Sequence, residues 1–257
     1  MNQKSIFPKV AVDMFLVQGM WASAFLGVMV VVQIIRSVIS TFTSSQLSTF
    51  FVSTFIASSI FMLVVGIIAT YGFMPHFVGN GVTRKDFFKG ASLGAIGLAI
   101  ALPIISSIIS LIEKGIVTLT NLPIKYEPIF ESKVEEDPSF IEEIFRMIFT
   151  TNFNDSSHWV IVVVIFAVNL LTFYLIGWII GSAFYKHLIL GFLGIVMGIF
   201  ILYCMGHIVA MLFGAPVTIF ANTFELPDVV LIIIILFILV ICFSIIRLLT
   251  KKAVIKI

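Results

Sequence analysis

Charged residues, cysteines and the sequence signatures of two enzyme classes are scarce or missing in this chain. Only 11% of its 257 residues are charged, and its two cysteines, Cys204 and Cys242, lack a spacing typical of metal ligands. There is no G-x-x-x-x-G-K-[ST] phosphate loop and no H-E-x-x-H motif. These absences disfavour ATP hydrolysis of the Walker type and zinc proteolysis. We expect no catalytic residue, metal or cofactor in this chain.

Apolar residues are present in great excess. They make up 60% of the chain, 27 of them are phenylalanine, and mean hydropathy is +1.20. Six stretches reach or approach the roughly 20 apolar residues that span a bilayer: Trp21–Val38, Phe55–Phe77, Ala91–Ile112, Trp159–Phe184, Leu188–Phe213 and Val229–Leu248. We therefore expect an all-α, multi-pass protein of the plasma membrane, folded as a single transmembrane domain.

Positive charge falls on alternate connections between these spans. With six spans, both termini lie on one side, which carries ten of the fifteen Lys and Arg but only two acids. The other side carries five basic residues and eleven acids. The positive-inside rule then places both termini in the cytoplasm. Because the basic residues are dispersed over short segments, they favour contact with anionic lipid and do not predict nucleic-acid binding.

Residues 1–20 are too charged to cross a membrane, yet apolar side chains from Ile6 to Val17 recur on one helical face. We expect an elbow helix that lies in the membrane interface before the first span, with a frayed cytoplasmic tail as the alternative.

Close packing between helices is predicted by three pairs of glycines at four-residue spacing: Gly90 and Gly94, Gly177 and Gly181, and Gly194 and Gly198.

Ionisable side chains are almost missing from the predicted spans, which disfavours proton pumps and ion-coupled carriers. The polar candidates there are Gln33, Asn169 and His207. Asn169 either joins two helices by a hydrogen bond or contacts cargo. His207 either packs near the outer interface or contacts a substrate. Asn169 and His207 are thus the candidates for a translocation path.

The largest connection, residues 113–158, is predicted to be extracellular and carries nine acids. Within it, Asp137-Pro138 is a helix start signal. The apolar positions that follow recur on one face of a short amphipathic helix: Phe140, Ile141, Ile144, Phe145, Ile148 and Phe149. That face must pack on the bundle, a partner subunit, lipid or an amphipathic substrate.

A cytoplasmic connection, residues 79–90, carries the most specific local pattern. Asn80-Gly81 is a turn signal, and Thr83 can cap a helix that has Asp86 in its first turn. The pair Phe87-Phe88 is costly to leave in water, so it either anchors the third span in the interface or fills a groove on a cytoplasmic partner. The residues that would form such a contact are Thr83, Arg84, Lys85, Asp86, Phe87 and Phe88.

The loop Asn-Gly-Val-Thr-Arg-Lys-x-Phe-Phe-x-Gly, residues 80–90, resembles that of small six-span ABC-2-type permeases of Gram-positive bacteria. Among these are permeases of antimicrobial-peptide immunity and of phenol-soluble modulin export. The resemblance implies that residues 83–88 form a coupling helix seated on a separate cytoplasmic ATPase, which binds ATP and Mg. It also implies a second permease subunit, identical or paralogous, and a path along spans one, two and five. Export of an amphipathic peptide or other hydrophobic cargo is the expected function.

Two other classes of protein fit parts of the pattern. A sensor or immunity protein would bind cationic peptides through the acidic outer connection without transporting them. A secondary transporter would work without nucleotide. The coupling loop discriminates between them, because only a permease driven by an ATPase requires it.

Overall fold

A computed structural model describes residues 6–43, 46–120, 122–126, 159–212 and 226–251. These residues are almost entirely helical, and one isolated parallel bridge joins Leu47 to Tyr126. The helices are α1 (Phe7–Thr43), α2 (Phe50–Ile68), α3 (Met74–Gly79), α4 (Arg84–Thr120), α5 (Trp159–Lys186), α6 (Leu188–Leu212) and α7 (Asp228–Lys251). In the described part of the chain, six helical stretches are long and apolar enough to cross a membrane. The expected all-α, multi-pass class is confirmed at that level.

Helices α1 and α4 extend well beyond the spans predicted for them. Each has 37 residues, a length of about 55 Å at 1.5 Å per residue, whereas the hydrocarbon core of a bilayer is about 30 Å thick. Polar residues such as Lys9, Asp13 and Glu113 continue the helices past the apolar stretch. The predicted elbow over residues 1–20 is not a separate element, because residues 7–20 run unbroken into the first span.

The second spanning stretch, Phe50–Gly79, contains a break in its helical pitch. Residues Ala69–Phe73 form a π-helical turn between α2 and α3. The turn is tied to α5, where the Thr70 and Ser182 hydroxyls are 2.8 Å apart. Such turns are uncommon and occur often at functional sites. This turn was not predicted from the sequence.

Helix α5 lies at the centre of the bundle and contacts α2, α4, α6 and α7. Its closest approach is to α2, where Gly177 and Gly181 face main-chain atoms of that helix. A Cβ atom at Gly181 would lie 2.7 Å from the Ile67 carbonyl oxygen. Gly198 meets the Ile176 side chain across the α5–α6 contact. The glycine pairs therefore act as predicted: they let neighbouring helices of one chain approach closely.

Helices α1 and α4 pack side by side and run in the same direction. At one end, the side chains of Val10 and Met14 pack against Gly90 and Gly94, respectively. At the other end, Gln33 of α1 contacts Glu113 of α4. We call these the Arg84 end and the Glu113 end of the bundle. Helix α4, which contains Pro103 in its interior, therefore extends as one helix from one end to the other.

Candidate functional site

The turn at the Arg84 end is built as the sequence predicted. Gly81 adopts a φ of 85°, a left-handed conformation that glycine tolerates without strain. The Gly81 amide donates to the Val78 carbonyl at 3.1 Å, and the Asn80 side-chain amide donates to the His76 carbonyl at 2.7 Å. These bonds end α3 and reverse the chain into α4. The reversal leaves Gly81 exposed at the tip.

Thr83 caps the start of α4. Its hydroxyl oxygen accepts the Asp86 amide at 3.1 Å, and the Thr83 hydroxyl lies 3.0 Å from the Asp86 carboxylate. The negative charge of Asp86 sits in the first helical turn, where the helix dipole stabilises it. The capped helix has 37 residues and continues through the third span to Thr120.

The two phenylalanines of this turn pack into their own bundle. Phe87 is completely buried, with ring centroids 6.0 Å from Phe77 and 6.3 Å from Trp178. Phe88 is half-buried, 5.8 Å from Trp178 and 6.5 Å from Phe243. The hypothesis that both rings fill a groove on a partner is therefore wrong for Phe87. The ring is removed from water by packing against the indole ring of Trp178, which is distant in sequence.

Helix α7 braces the same turn. Arg247 donates to the Arg84 carbonyl at 3.2 Å, and its guanidinium carbon lies 5.5 Å from the centre of the Phe88 ring. Arg84 in turn donates to the carbonyl of Lys251, the last residue of α7, at 3.2 Å. A cation near helix C-terminal carbonyls is favourable. The turn is thus fixed to two helices while Lys85 remains exposed.

The buried polar side chains between the helices mainly join one helix to another. Asn169 donates to the Ser59 hydroxyl oxygen at 3.1 Å, which links α5 to α2. Gln18 donates to the Tyr174 hydroxyl oxygen at 3.0 Å, which links α1 to α5. His207 is buried, with its Nδ1 atom 3.2 Å from the Tyr203 carbonyl in its own helix. Asn169 and His207 therefore have different hydrogen-bond partners, one in a neighbouring helix and one in its own.

Residues 90–94, Gly-Ala-Ser-Leu-Gly, match the letters of the G-x-S-x-G pattern found in serine hydrolases. That pattern requires a sharp turn between a strand and a helix, with the serine exposed at its apex. Ser92 instead lies inside α4, and its hydroxyl donates to the Phe88 carbonyl one turn earlier at 2.7 Å. The glycines serve as contact points for α1. The match carries no catalytic meaning here.

The Glu113 end holds a polar arrangement that the sequence did not predict. Glu113 Oε1 accepts from the Gln33 side-chain amide at 2.7 Å, and Glu113 Oε2 accepts from the Phe50 main-chain amide at 2.8 Å. The Thr49 side chain does not cap α2, so the carboxylate from α4 supplies the cap. Gln33 also donates to the Ser48 carbonyl at 2.9 Å. One carboxylate thereby joins α1, α2 and α4.

An apolar cleft of about 480 Å³ lies between α1 and α4 at this end. Its volume is in the range of ligand sites, roughly 300–1,000 Å³. Phe50 lies on its inner side, and Leu122 and Ile124 follow α4 along it. Most of the wall is aliphatic and includes Val30, Ile34, Val38, Ile109, Ile112 and Ile116. Gln33 and Glu113 also line the cleft.

The segment after α4 returns to the base of α2. The Leu47 amide donates to the Lys125 carbonyl at 2.9 Å, next to the Leu47–Tyr126 bridge. The Tyr126 hydroxyl is buried without a hydrogen-bond partner among the described residues. Burial, and secondarily the negative charge of Glu113, raises the pKa of Tyr126 to about 12. The predicted outer amphipathic helix, Phe140 to Phe149, lies outside the described residues.

Within the described residues, no group of three or more His, Cys, Asp or Glu side chains is arranged to hold a metal ion. Cys242 is buried and Cys204 half-buried, both as free thiols.

Comparison with protein-family models, with curated proteins and with solved structures gives no match. The features of the chain that bear on its function are therefore the braced turn, the long helix α4 and the cleft.

Proposed function

We propose that this chain is the membrane-spanning permease subunit of an ATP-driven ABC exporter. Its cargo would be an amphipathic peptide or other hydrophobic molecule, and a separate cytoplasmic ATPase would supply the energy. In this proposal both termini and the Arg84 end face the cytoplasm, as the charge asymmetry of the sequence predicts. The ATP and Mg required would bind to the partner ATPase.

The single observation that carries the proposal is the construction of the turn at the Arg84 end. A loop that transmits force must be exposed at its tip and rigid at its base. Here Lys85 is exposed, while Phe87 is enclosed against Trp178 and Arg247 braces the Arg84 carbonyl. A push on the tip would therefore move α4 and α7 together instead of deforming the loop.

Helix α4 supplies the mechanical connection to the other end of the bundle. Arg84 and Glu113 are 29 positions apart in one helix, about 44 Å, with Pro103 between them. Glu113 holds the beginning of α2 and the side chain of Gln33. Displacement of α4 along its axis would therefore be transmitted to α1 and α2, the two helices that Glu113 contacts. We propose this series of contacts as the coupling path between the two ends.

The proposal also requires a second permease subunit in the plasma membrane. The outward face of α6 is broadly apolar, with exposed Phe192, Leu193, Val196 and Phe200. Helix α1 likewise presents Val28, Val31 and Ile35. Such faces fit lipid or another permease subunit. The resemblance places the path along the first, second and fifth spans, which are here α1, α2 and α6.

Purification from native cells in mild detergent tests the proposal. We expect a soluble ATPase with Walker motifs to remain bound, and Lys85→Glu to lose it while the chain stays folded. The matched control is Lys114→Glu, an exposed lysine in the same helix at the opposite end. Retention of the ATPase by both variants would place its contact elsewhere. A non-transporting sensor or immunity protein would purify without any ATPase and would bind cationic peptide regardless of Lys85.

A further inference from the structure

The cleft at the Glu113 end has an elongated shape. Along α1 its wall follows a stripe of residues spaced three or four apart, from Val30 to Phe42. Twelve residues of helix correspond to about 18 Å. On the opposite side α4 contributes a parallel stripe from Ile109 to Val117. A trough between two such aliphatic stripes accommodates an extended hydrocarbon chain better than a compact polycyclic molecule.

The polar groups along this trough have few hydrogens left to donate. The Ser37 hydroxyl donates to the Gln33 carbonyl at 2.9 Å, and the Thr41 hydroxyl donates to the Ser37 carbonyl at 2.9 Å. The side-chain amide of Gln33 donates to Glu113 and to the Ser48 carbonyl. An acidic or carbonyl-bearing ligand would therefore find poor partners in the cleft.

Acceptor capacity, by contrast, remains at Glu113. Among the described residues that line the cleft, this carboxylate is the single charged group. Each oxygen accepts one protein donor, whereas a carboxylate offers about four acceptor positions in total. The free positions and the negative charge select a ligand group that is cationic and carries several N–H donors. A primary ammonium group meets both conditions.

We propose that this cleft binds an aliphatic chain ending in a primary ammonium group. The ammonium donates to Glu113, and the chain lies along the stripe from Ile34 to Phe42. The assignment goes beyond the transport proposal, because the trough and its carboxylate belong to one chain and require no ATPase. In an exporter, the same site would hold the amine-bearing apolar end of the cargo.

Equilibrium binding of radiolabelled dodecylammonium to the full chain tests the site. The protein is placed in nanodiscs of zwitterionic phosphatidylcholine, and binding to empty nanodiscs is subtracted. We expect saturable binding that unlabelled dodecylammonium displaces well, dodecanol poorly and dodecanoate not at all. Equal displacement by all three would show simple partitioning into apolar surface and would overturn the assignment.

Two variants locate the binding on the chain. Glu113→Gln removes the charge and keeps one acceptor oxygen, which can hold only one of the two protein donors, and we expect dodecylammonium binding to weaken about tenfold. Ile34→Trp fills the trough from an exposed position and should abolish binding. Ile35→Trp is the matched control, because Ile35 is similarly exposed on α1 but does not line the cleft. Unchanged binding to Ile34→Trp would contradict the proposed site.

These measurements separate the two proposals. Binding is measured on the chain alone, so it does not depend on ATPase association. Saturable binding that fails in Ile34→Trp supports the cleft even if no ATPase copurifies. Conversely, recovery of an ATPase with no saturable dodecylammonium binding would support the permease proposal and overturn the cleft assignment.

Discussion

Glu113 accepts a hydrogen bond from Gln33 at 2.7 Å, and this contact lies at matching heights on two parallel helices. Both residues are 23 positions beyond the Val10–Gly90 contact at the other end. Since both helices rise 1.5 Å per residue, α1 and α4 stay in register over about 35 Å. The pairing turns two long helices into one stiff unit, with a cleft beside the polar contact.

Removal of the Glu113 carboxylate should destabilise the Glu113 end. Glu113→Ala leaves the Phe50 amide without its partner, and we expect a loss of about 1–3 kcal/mol in the free energy of unfolding. Unfolding in mixed micelles with increasing dodecyl sulfate, followed by circular dichroism, measures the loss. Lys114→Ala, at the neighbouring exposed residue, is the control. Equal stability of the two variants would show that the carboxylate does not cap α2.

The contact between α2 and α5 should not tolerate a side chain at Gly177. A Cβ atom there meets the main chain of Leu63, which cannot move aside as a flexible side chain can. We expect Gly177→Leu to reduce the free energy of unfolding by about 3 kcal/mol or to prevent folding. Gly27→Leu is the matched change, because nothing lies within 4 Å of a Cβ atom at Gly27. A similar loss in both variants would contradict the close helix contact.

Truncation to alanine should destabilise the chain at Phe87 and leave its stability nearly unchanged at Lys85. Phe87→Ala empties a fully buried site beside Trp178, and we expect it to cost about 3–5 kcal/mol of stability. Lys85→Ala removes an exposed side chain and should change stability by less than about 0.5 kcal/mol. Thermal unfolding in detergent compares the two. If Phe87→Ala proved neutral, the ring would have to be outside the bundle.

Tyr126 should titrate later than an exposed tyrosine. Its pKa is raised to about 12 in the folded chain, against an ordinary value of 10. Its stabilising contribution is therefore complete below pH 10 and is lost as the pH rises from 10 to 12, because the unfolded chain releases the proton first. Difference titration of tyrosinate absorbance between the native chain and Tyr126→Phe measures the pKa. Glu113→Gln should lower the pKa of Tyr126. A pKa near 10 both in the native chain and in Glu113→Gln would contradict the burial of the Tyr126 hydroxyl.

Much of the fold follows from the sequence because bilayer thickness and hydropathy constrain it so strongly. The predicted spans all lie on observed helices within the described residues, and the glycine pairs mark real helix contacts. The extent of α1 and α4 was not predictable in the same way. A helix such as Phe7–Thr43 continues past the apolar stretch on packing contacts with a distant partner, and hydropathy carries no record of those contacts.

The site was predictable only in part. The Thr83 cap and the Gly81 turn depend on neighbouring residues, so their sequence signals were sufficient. The burial of Phe87 depends on Trp178, which is 91 positions away, and the pairing of Glu113 depends on the register of α1 and α4. Long-range contacts of this kind leave no local pattern. The cleft, which exists because of that register, was therefore missed.

In vivo photo-cross-linking at position 85 tests the central claim most directly. A photoreactive amino acid replaces Lys85 in one strain and Leu193, an exposed apolar residue of α6, in another. We expect position 85 to capture a protein with ATPase Walker motifs and position 193 to capture none. If position 85 yields no ATPase while the chain is folded and inserted, the turn at the Arg84 end is not a coupling element and the permease assignment fails.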